Sequence, residues 1–195
     1  MSMNASERAA VLALLHKEVV PALGCTEPIA VALCAARAAE ALGCRPEHLD
    51  VAVSANLLKN GMGVMVPGTG EMGLGVAAAA GAVGGRSELE LECLKDLTED
   101  QAQQARDMLA ADAVRLHLAD NDELLYCLVT VSAGSETAAA ELSGSHDNIT
   151  RVWKNGSLIF EKKDAASAEN ADAPWPLTLA GIYEFSVTAP LDEIS

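Results

Sequence analysis

With 195 residues, half of them hydrophobic but only 3% aromatic, the chain has the apolar mass for one sizeable core or two small ones built from Ala, Val and Leu. Its 28 acidic and 13 basic residues leave a formal charge of −15, which repels a phosphate backbone and an anionic bilayer, so neither nucleic acid nor a membrane is an expected partner. Cys25, Cys34, Cys44, Cys93 and Cys127 are scattered without a C-x-x-C pair, which points to reduced thiols rather than a disulfide framework or a self-contained zinc site.

Met1 to Val20 carries Glu7, Arg8, His16, Lys17 and Glu18, so no uninterrupted apolar signal segment forms and a cytoplasmic location is expected. Asn4 with Glu7 three residues on has the form of a capping box, and Val11, Leu15 and Val19 continue a helix that Pro21 stops. Thr26, followed by Glu27 and Pro28, opens a second, mostly apolar helix that ends at Gly43. Asp50 to Leu58 alternates, with Val51, Val53, Ala55 and Leu57 on one side and Ser54 and Asn56 on the other, which predicts a strand. A glycine-rich loop follows, then an Ala-rich helix from about Leu74 to Val83; the weakly polar stretch from Gly73 to Gly85 is too short to span a bilayer.

Leu89, Leu91 and Cys93 alternate with Glu88, Glu90 and Glu92 as a strand with one wet face would, and Thr98 with Gln101 caps a helix reaching roughly Ala113. Beyond it the period becomes two, over Val114–Leu118, Leu124–Val131, Thr137–Leu142 and Ile149–Trp153, with Asn155-Gly156 marking a hairpin turn. The fold class expected is α+β, an antiparallel sheet with Ala-rich helices packed against it. Residues 1–163 are expected to form one domain, 164–176 a polar, Pro-containing linker and 177–195 the start of a further segment, with a short helix over Thr178–Ser186. The chain stops soon after that linker, which points to more chain or a partner subunit.

Cys25 stands at the start of an apolar helix, where unsatisfied amides and the positive dipole end lower a thiol pKa and favour a nucleophilic or basic thiolate. The competing reading is a small buried hydrophobe, the role given to Cys34, Cys44, Cys93 and Cys127. Gly68-Thr69-Gly70-Glu71-Met72-Gly73 fits G-x-G-x-x-G, with Glu88 or Glu90 near the distance of a ribose-binding acid, but the later βαβ rhythm of a dinucleotide fold is lacking and no Gly-Lys-Ser/Thr occurs. A carboxylate-sized anion held by the loop amides suits the segment better. Lys59 and Asn60 supply a cation and an amide beside that loop, and with Ser54 and Asn56 on their strand face they could grip an amino acid; a solvated Lys, a turn Asn and packing glycines are an equal account. His146, between two strands, could present an imidazole held by Asp147, whereas His16, His48 and His117 have no cluster around them.

Three motifs carry a resemblance: Gly24-Cys25-Thr26-Glu27-Pro28; Ser54-Ala55-Asn56 with Lys59-Asn60-Gly61-Met62-Gly63 and Val66-Pro67-Gly68-Thr69; and Ser145-His146-Asp147-Asn148-Ile149. In this order they resemble the alpha-type serine dehydratase-like family, and most closely its UPF0597 branch with the L-cysteine desulfidases. The resemblance runs over nearly the whole chain. It implies an iron-sulfur-dependent lyase, free of pyridoxal phosphate, that removes sulfide from L-cysteine or water from L-serine to give pyruvate and ammonia. Cys25 is then the candidate base or substrate-side thiolate. Ser54, Asn56, Lys59, Asn60, Gly61, Gly68, Thr69 and His146 are the candidate substrate-binding residues.

Members of that family are about twice this length, with the cluster-ligating cysteines in a second half that these residues do not include. The resemblance therefore implies no cluster and little activity in this chain alone, with a homo-oligomer or a C-terminal half completing it. A small amino-acid or carboxylate binding module without catalysis is the alternative, a dinucleotide-binding domain the third reading, and a structural role with self-association through exposed apolar faces a further one.

Overall fold

Three short polar side chains, Asn4, Ser54 and Thr98, decide where three of the helices begin. In the computed structural model, which describes residues 3–162 and 178–194, helix α1 (Ala5–Glu18) starts at a capping box: Asn4 accepts from the Glu7 amide and the Glu7 carboxylate accepts from the Asn4 amide, both at 2.9 Å. Helix α2 (Thr26–Leu42) ends on Gly43, whose φ of +80° gives the left-handed cap a side chain would resist. Strand β1 (His48–Val53) leads directly into α3 (Ala55–Gly61), and the glycine loop joins α3 to α4 (Leu74–Gly84). After a short 3-10 helix (Ser87–Glu92), α5 (Glu99–Ala110) begins at the Thr98–Gln101 capping box.

Five strands follow: β2 (Val114–Leu118), β3 (Tyr126–Ala133), β4 (Glu136–Ser143), β5 (Ile149–Lys154) and β6 (Ser157–Glu161). They form with β1 one six-stranded sheet, ordered β2-β1-β3-β4-β5-β6, in which β1 and β2 run parallel and every other pair antiparallel. Asn155 and Gly156, with φ of +50° and +78°, make the tight β5–β6 turn that their sequence predicts. Alternation fixes which face is buried: Val51 and Val53, Val129 and Val131, Ala138 and Ala140, and Val152 all turn inward to one core. Helices α2 and α4 supply its other side through Ile29, Leu33 and the run Ala77–Ala80. The α+β class holds.

The described residues fall into two compact units. One spans residues 22–162, and the other joins α1 to α6 (Leu179–Thr188) and α7 (Leu191–Ile194). Within the second unit the Met3 amide donates to Glu184 (2.9 Å), and Arg8 pairs with Glu193 (2.7 Å) and stacks on the Phe185 ring at 5.3 Å. Thr178 caps α6 where the short helix is expected, and the expected linker 164–176 lies outside the described residues.

The strand expected over Asp50–Leu58 ends at Val53, because Ser54 turns from continuing the strand to capping α3. Ser54 and Asn56 therefore do not share a strand face. The expected strand around Leu89–Cys93 is the 3-10 helix: Leu91 and Cys93 are buried as the alternation requires, but no strand among the described residues pairs with the segment. Cys34, Cys93 and Cys127 are buried packing residues, whereas Cys44 is exposed just past the end of α2, contrary to expectation.

Candidate functional site

Leu23 donates its amide to the Leu91 carbonyl (2.9 Å), which fixes the approach of the chain to α2. Gly24 then turns with φ of +81°, and a Cβ there would lie 3.3 Å from the Pro67 ring, so the residue before Cys25 is packed against the glycine loop. The cysteine itself, not Thr26, is the N-cap of α2, and it is exposed.

Its thiol donates to Glu27 Oε2 at 2.8 Å. The other carboxylate oxygen, Oε1, accepts from Asn60 Nδ2 on α3 at 3.4 Å. From the turn between β4 and β5, the His146 ring also acts on Glu27 electrostatically and favours its ionised form. Residues from two separated segments, Cys25 and Asn60, thus contact one half-buried carboxylate, and the charge of a third, His146, acts on it. The thiol hydrogen bond comes first among the causes that hold the Glu27 carboxyl below the usual carboxylate range, with the His146 and Asn60 contributions smaller. The same hydrogen bond, followed by partial desolvation, pushes the Cys25 thiol up. A lowered pKa at the helix start is the expectation; a carboxylate two residues away outweighs the helix dipole.

The remaining candidates divide by burial. Ser54 is 1% exposed and fully engaged: it donates to the Leu124 carbonyl (3.0 Å) and accepts from the amides of Leu57 and Tyr126, both at 3.3 Å. Thr69, also 1% exposed, donates to the Val66 carbonyl (2.9 Å) and accepts from the Glu71 amide (3.1 Å), while Arg106 on α5 clamps its carbonyl at 2.6 Å. Gly61 ends α3 so closely against α4 that a Cβ would come within 2.3 Å of Leu74 Cδ2. Gly68, with φ of +77°, packs toward Leu97. These four build the frame, and their side-chain positions are turned to neighbours rather than to an open site.

Asn56, Lys59 and Asn60 are exposed and spaced i, i+3, i+4 on α3, so they lie along one side of that helix. The loop amides of Val66, Thr69, Glu71 and Gly73 close the loop on itself, donating to Glu71, Val66, the Thr69 hydroxyl and Val64 respectively, and are not free to receive an anion. The glycine run follows a helix rather than a strand, which removes the geometry a dinucleotide fold requires. Asp147 accepts from the Ser145 hydroxyl (2.7 Å), and the His146 ring acts electrostatically on Glu27. Glu27 is the residue sequence reasoning missed, since an acid in the first turn of a helix reads as a dipole partner; its spacing two residues after Cys25 was the available signal.

Among the described residues, no group of three or more His, Cys, Asp or Glu side chains is placed to hold a metal ion. No helix among them is long and apolar enough to cross a membrane. No family model and no solved structure matches the chain. It is similar to proteins named UPF0597: one from Oleidesulfovibrio alaskensis is 50% identical over 183 residues, covering 93% of this chain and 43% of that protein. A second from Bacteroides fragilis is 45% identical over 193 residues, covering 98% and 45%, and a third from Chromobacterium violaceum is 46% identical over 183 residues, covering 93% and 42%. The chain therefore spans less than half the length of these relatives.

Proposed function

We propose that the chain forms the Cys25-bearing part of a lyase that eliminates sulfide from L-cysteine, or water from L-serine, to give pyruvate and ammonia. The observation that carries this reading is that Cys25 and Asn60 both hydrogen-bond Glu27 while His146 acts on it electrostatically, because each of the three comes from one of the three motifs that resemble the serine dehydratase-like family. Side chains on one carboxylate but far apart in sequence are the arrangement a reacting site needs.

In the proposed reaction the Cys25 thiolate takes the α-proton, forming an S–H bond as the Cα–H bond breaks. That electron pair becomes the Cα=Cβ bond, and the Cβ–S bond breaks with its electrons on sulfur, which leaves as hydrosulfide. The enamine gains a proton at Cβ to give an imine, and water hydrolyses it to pyruvate and ammonium. Asn56, Lys59 and Asn60 line the side from which a small amino acid would be held, with Lys59 the cation for its carboxylate.

The iron-sulfur cluster of this reading supplies Lewis acidity to the leaving group. The described residues offer no ligand set for it, so its ligands are assigned to the longer protein or to a second subunit, and no step here is routed through it. The test is to supply the C-terminal half, assay sulfide and pyruvate anaerobically, and compare Cys25→Ala. Turnover lost at least about 1,000-fold in the variant is the expected result; no product from either amino acid would remove the lyase assignment. The hydrogen-bonded, protonated thiol favours one second reading, a non-catalytic binding module for a small amino acid or carboxylate. For that module Cys25→Ala leaves binding intact and there is no turnover to lose.

A further inference from the structure

A base that is hydrogen-bonded to a carboxylate presents a chemical problem, because the carboxylate keeps it protonated. Cys25 donates to Glu27 at 2.8 Å, and the groups that bear on this pair are Asn60 from α3, which is uncharged, and His146 from the β4–β5 turn, which acts on Glu27. None of these pairs the Glu27 charge in the way an incoming cation could, and Glu27 is half-buried beside an exposed thiol, so a ligand that reaches Cys25 also reaches the carboxylate.

Resting on the lyase reading and refining its substrate class, we infer that Glu27 is the group that recognises the α-ammonium of the substrate, and that pairing with this cation releases the Cys25 proton. The ammonium cancels the charge that disfavours the thiolate and competes for the oxygen that now accepts from the thiol, and the thiol proton passes to water. Cys25 becomes a base only when an amino acid is present. The site accordingly selects substrates with a free α-amino group over 2-hydroxy acids of the same shape. The thiolate is also withheld from oxidants and alkylating agents between turnovers.

The 195-residue chain itself suffices for the test. Thiolate absorbance near 240 nm is followed against pH and corrected with Cys25→Ala, alone and with saturating L-serine or L-glycerate, which carries a hydroxyl in place of the ammonium. L-Serine is expected to move the Cys25 midpoint to lower pH and L-glycerate to leave it or raise it. Glu27→Gln, which can still accept from Asn60, is expected to lower the midpoint without ligand and to abolish the response to L-serine. Asn60→Ala removes a neutral partner and is expected to keep the midpoint high, which separates charge from local disturbance. An unchanged midpoint in Glu27→Gln, no response to L-serine, or equal downward shifts with both ligands would overturn the inference. These outcomes are independent of turnover: thiol shifts without sulfide or pyruvate from the completed protein would sink the lyase and leave the ammonium site, and the reverse result would sink only the ammonium site.

Discussion

Ser54 and Asn56 stand two residues apart and meet opposite conditions. The Ser54 hydroxyl caps α3 and ties it to the strand that begins at Tyr126, with three partners and almost no solvent, whereas Asn56 is exposed on the same helix. Ser54→Ala removes an N-cap and strands the buried Leu57 amide, so it should cost about 2 kcal/mol in urea denaturation. Asn56→Ala should change stability by less than about 0.5 kcal/mol, as surface substitutions usually do. Equal losses in the two variants would contradict the division into frame and open residues. The site was legible as a set of motifs because glycine, proline and small polar residues cluster where the chain turns, but their roles were not. Ser54 and Thr69 look alike to Asn56 and Asn60 in a string of letters, and only burial separates hydroxyls satisfied by backbone from exposed amides, of which Asn60 reaches the Glu27 carboxylate. The protonation of Cys25 was illegible for a similar reason, since the helix start and the Glu27 carboxylate act on the thiol in opposite directions and only the 2.8 Å contact decides between them.

Helices α2 and α4 approach so closely that glycine is required at one point and merely tolerated at another. A Cβ on Gly81 would lie 2.1 Å from the Ala32 carbonyl oxygen, a backbone atom that can move only if the whole helix moves. Gly75, in the same helix, would meet nothing nearer than Leu109 Cδ2 at 3.8 Å, an ordinary contact. Gly81→Ala should therefore destabilise by about 3 kcal/mol through overpacking, while Gly75→Ala should stabilise by about 0.5 to 1 kcal/mol by restricting the unfolded chain and favouring the helix. Thermal midpoints that move the same way in both variants would show that the helix crossing is looser than its distances require. Elements with strong ends were readable in advance: the boxes at Asn4 and Thr98, the Gly43 cap and the Asn155-Gly156 turn all specify backbone angles locally. Helix α3 was not, because over so few residues apolar positions 51, 53, 55 and 57 fit a period of two as well as the start of a helix. The segment around Leu91 kept its alternating burial yet found no neighbouring strand among the described residues, and pairing is a property of the whole sheet rather than of the segment. The parallel β1–β2 pair was hidden likewise, since it depends on where the intervening helices return the chain.

At the scale of the whole molecule, two effects make alkaline solution hostile to this fold, and salt tells them apart. Burial pushes the Cys93 thiol from 9.0 up to about 12 and, with Glu141 adding its charge, the Tyr126 phenol from 10.0 up to about 12; the hydrogen bond with Cys34, then burial, raises Cys127 as well. A group whose pKa is raised in the folded state binds more protons folded than unfolded, so its contribution is whole below the unfolded pKa and disappears as pH climbs through the folded one. Stability should therefore fall between pH 9 and about 12, the window those shifts define. Over the same range the chain, already at −15, becomes still more negative and repels itself. Screening by 0.5 M sodium chloride weakens interactions between exposed charges, whose reach at about 0.1 M salt is already only ~10 Å, but leaves desolvated groups nearly untouched. Salt should accordingly raise the thermal midpoint at pH 8 while leaving most of the decline from pH 9 to 11 in place, and Tyr126→Phe should make the upper part of that decline shallower. If salt abolished the decline altogether, self-repulsion would account for it and the buried thiols and phenol would have no measurable part in the alkaline limit of the fold.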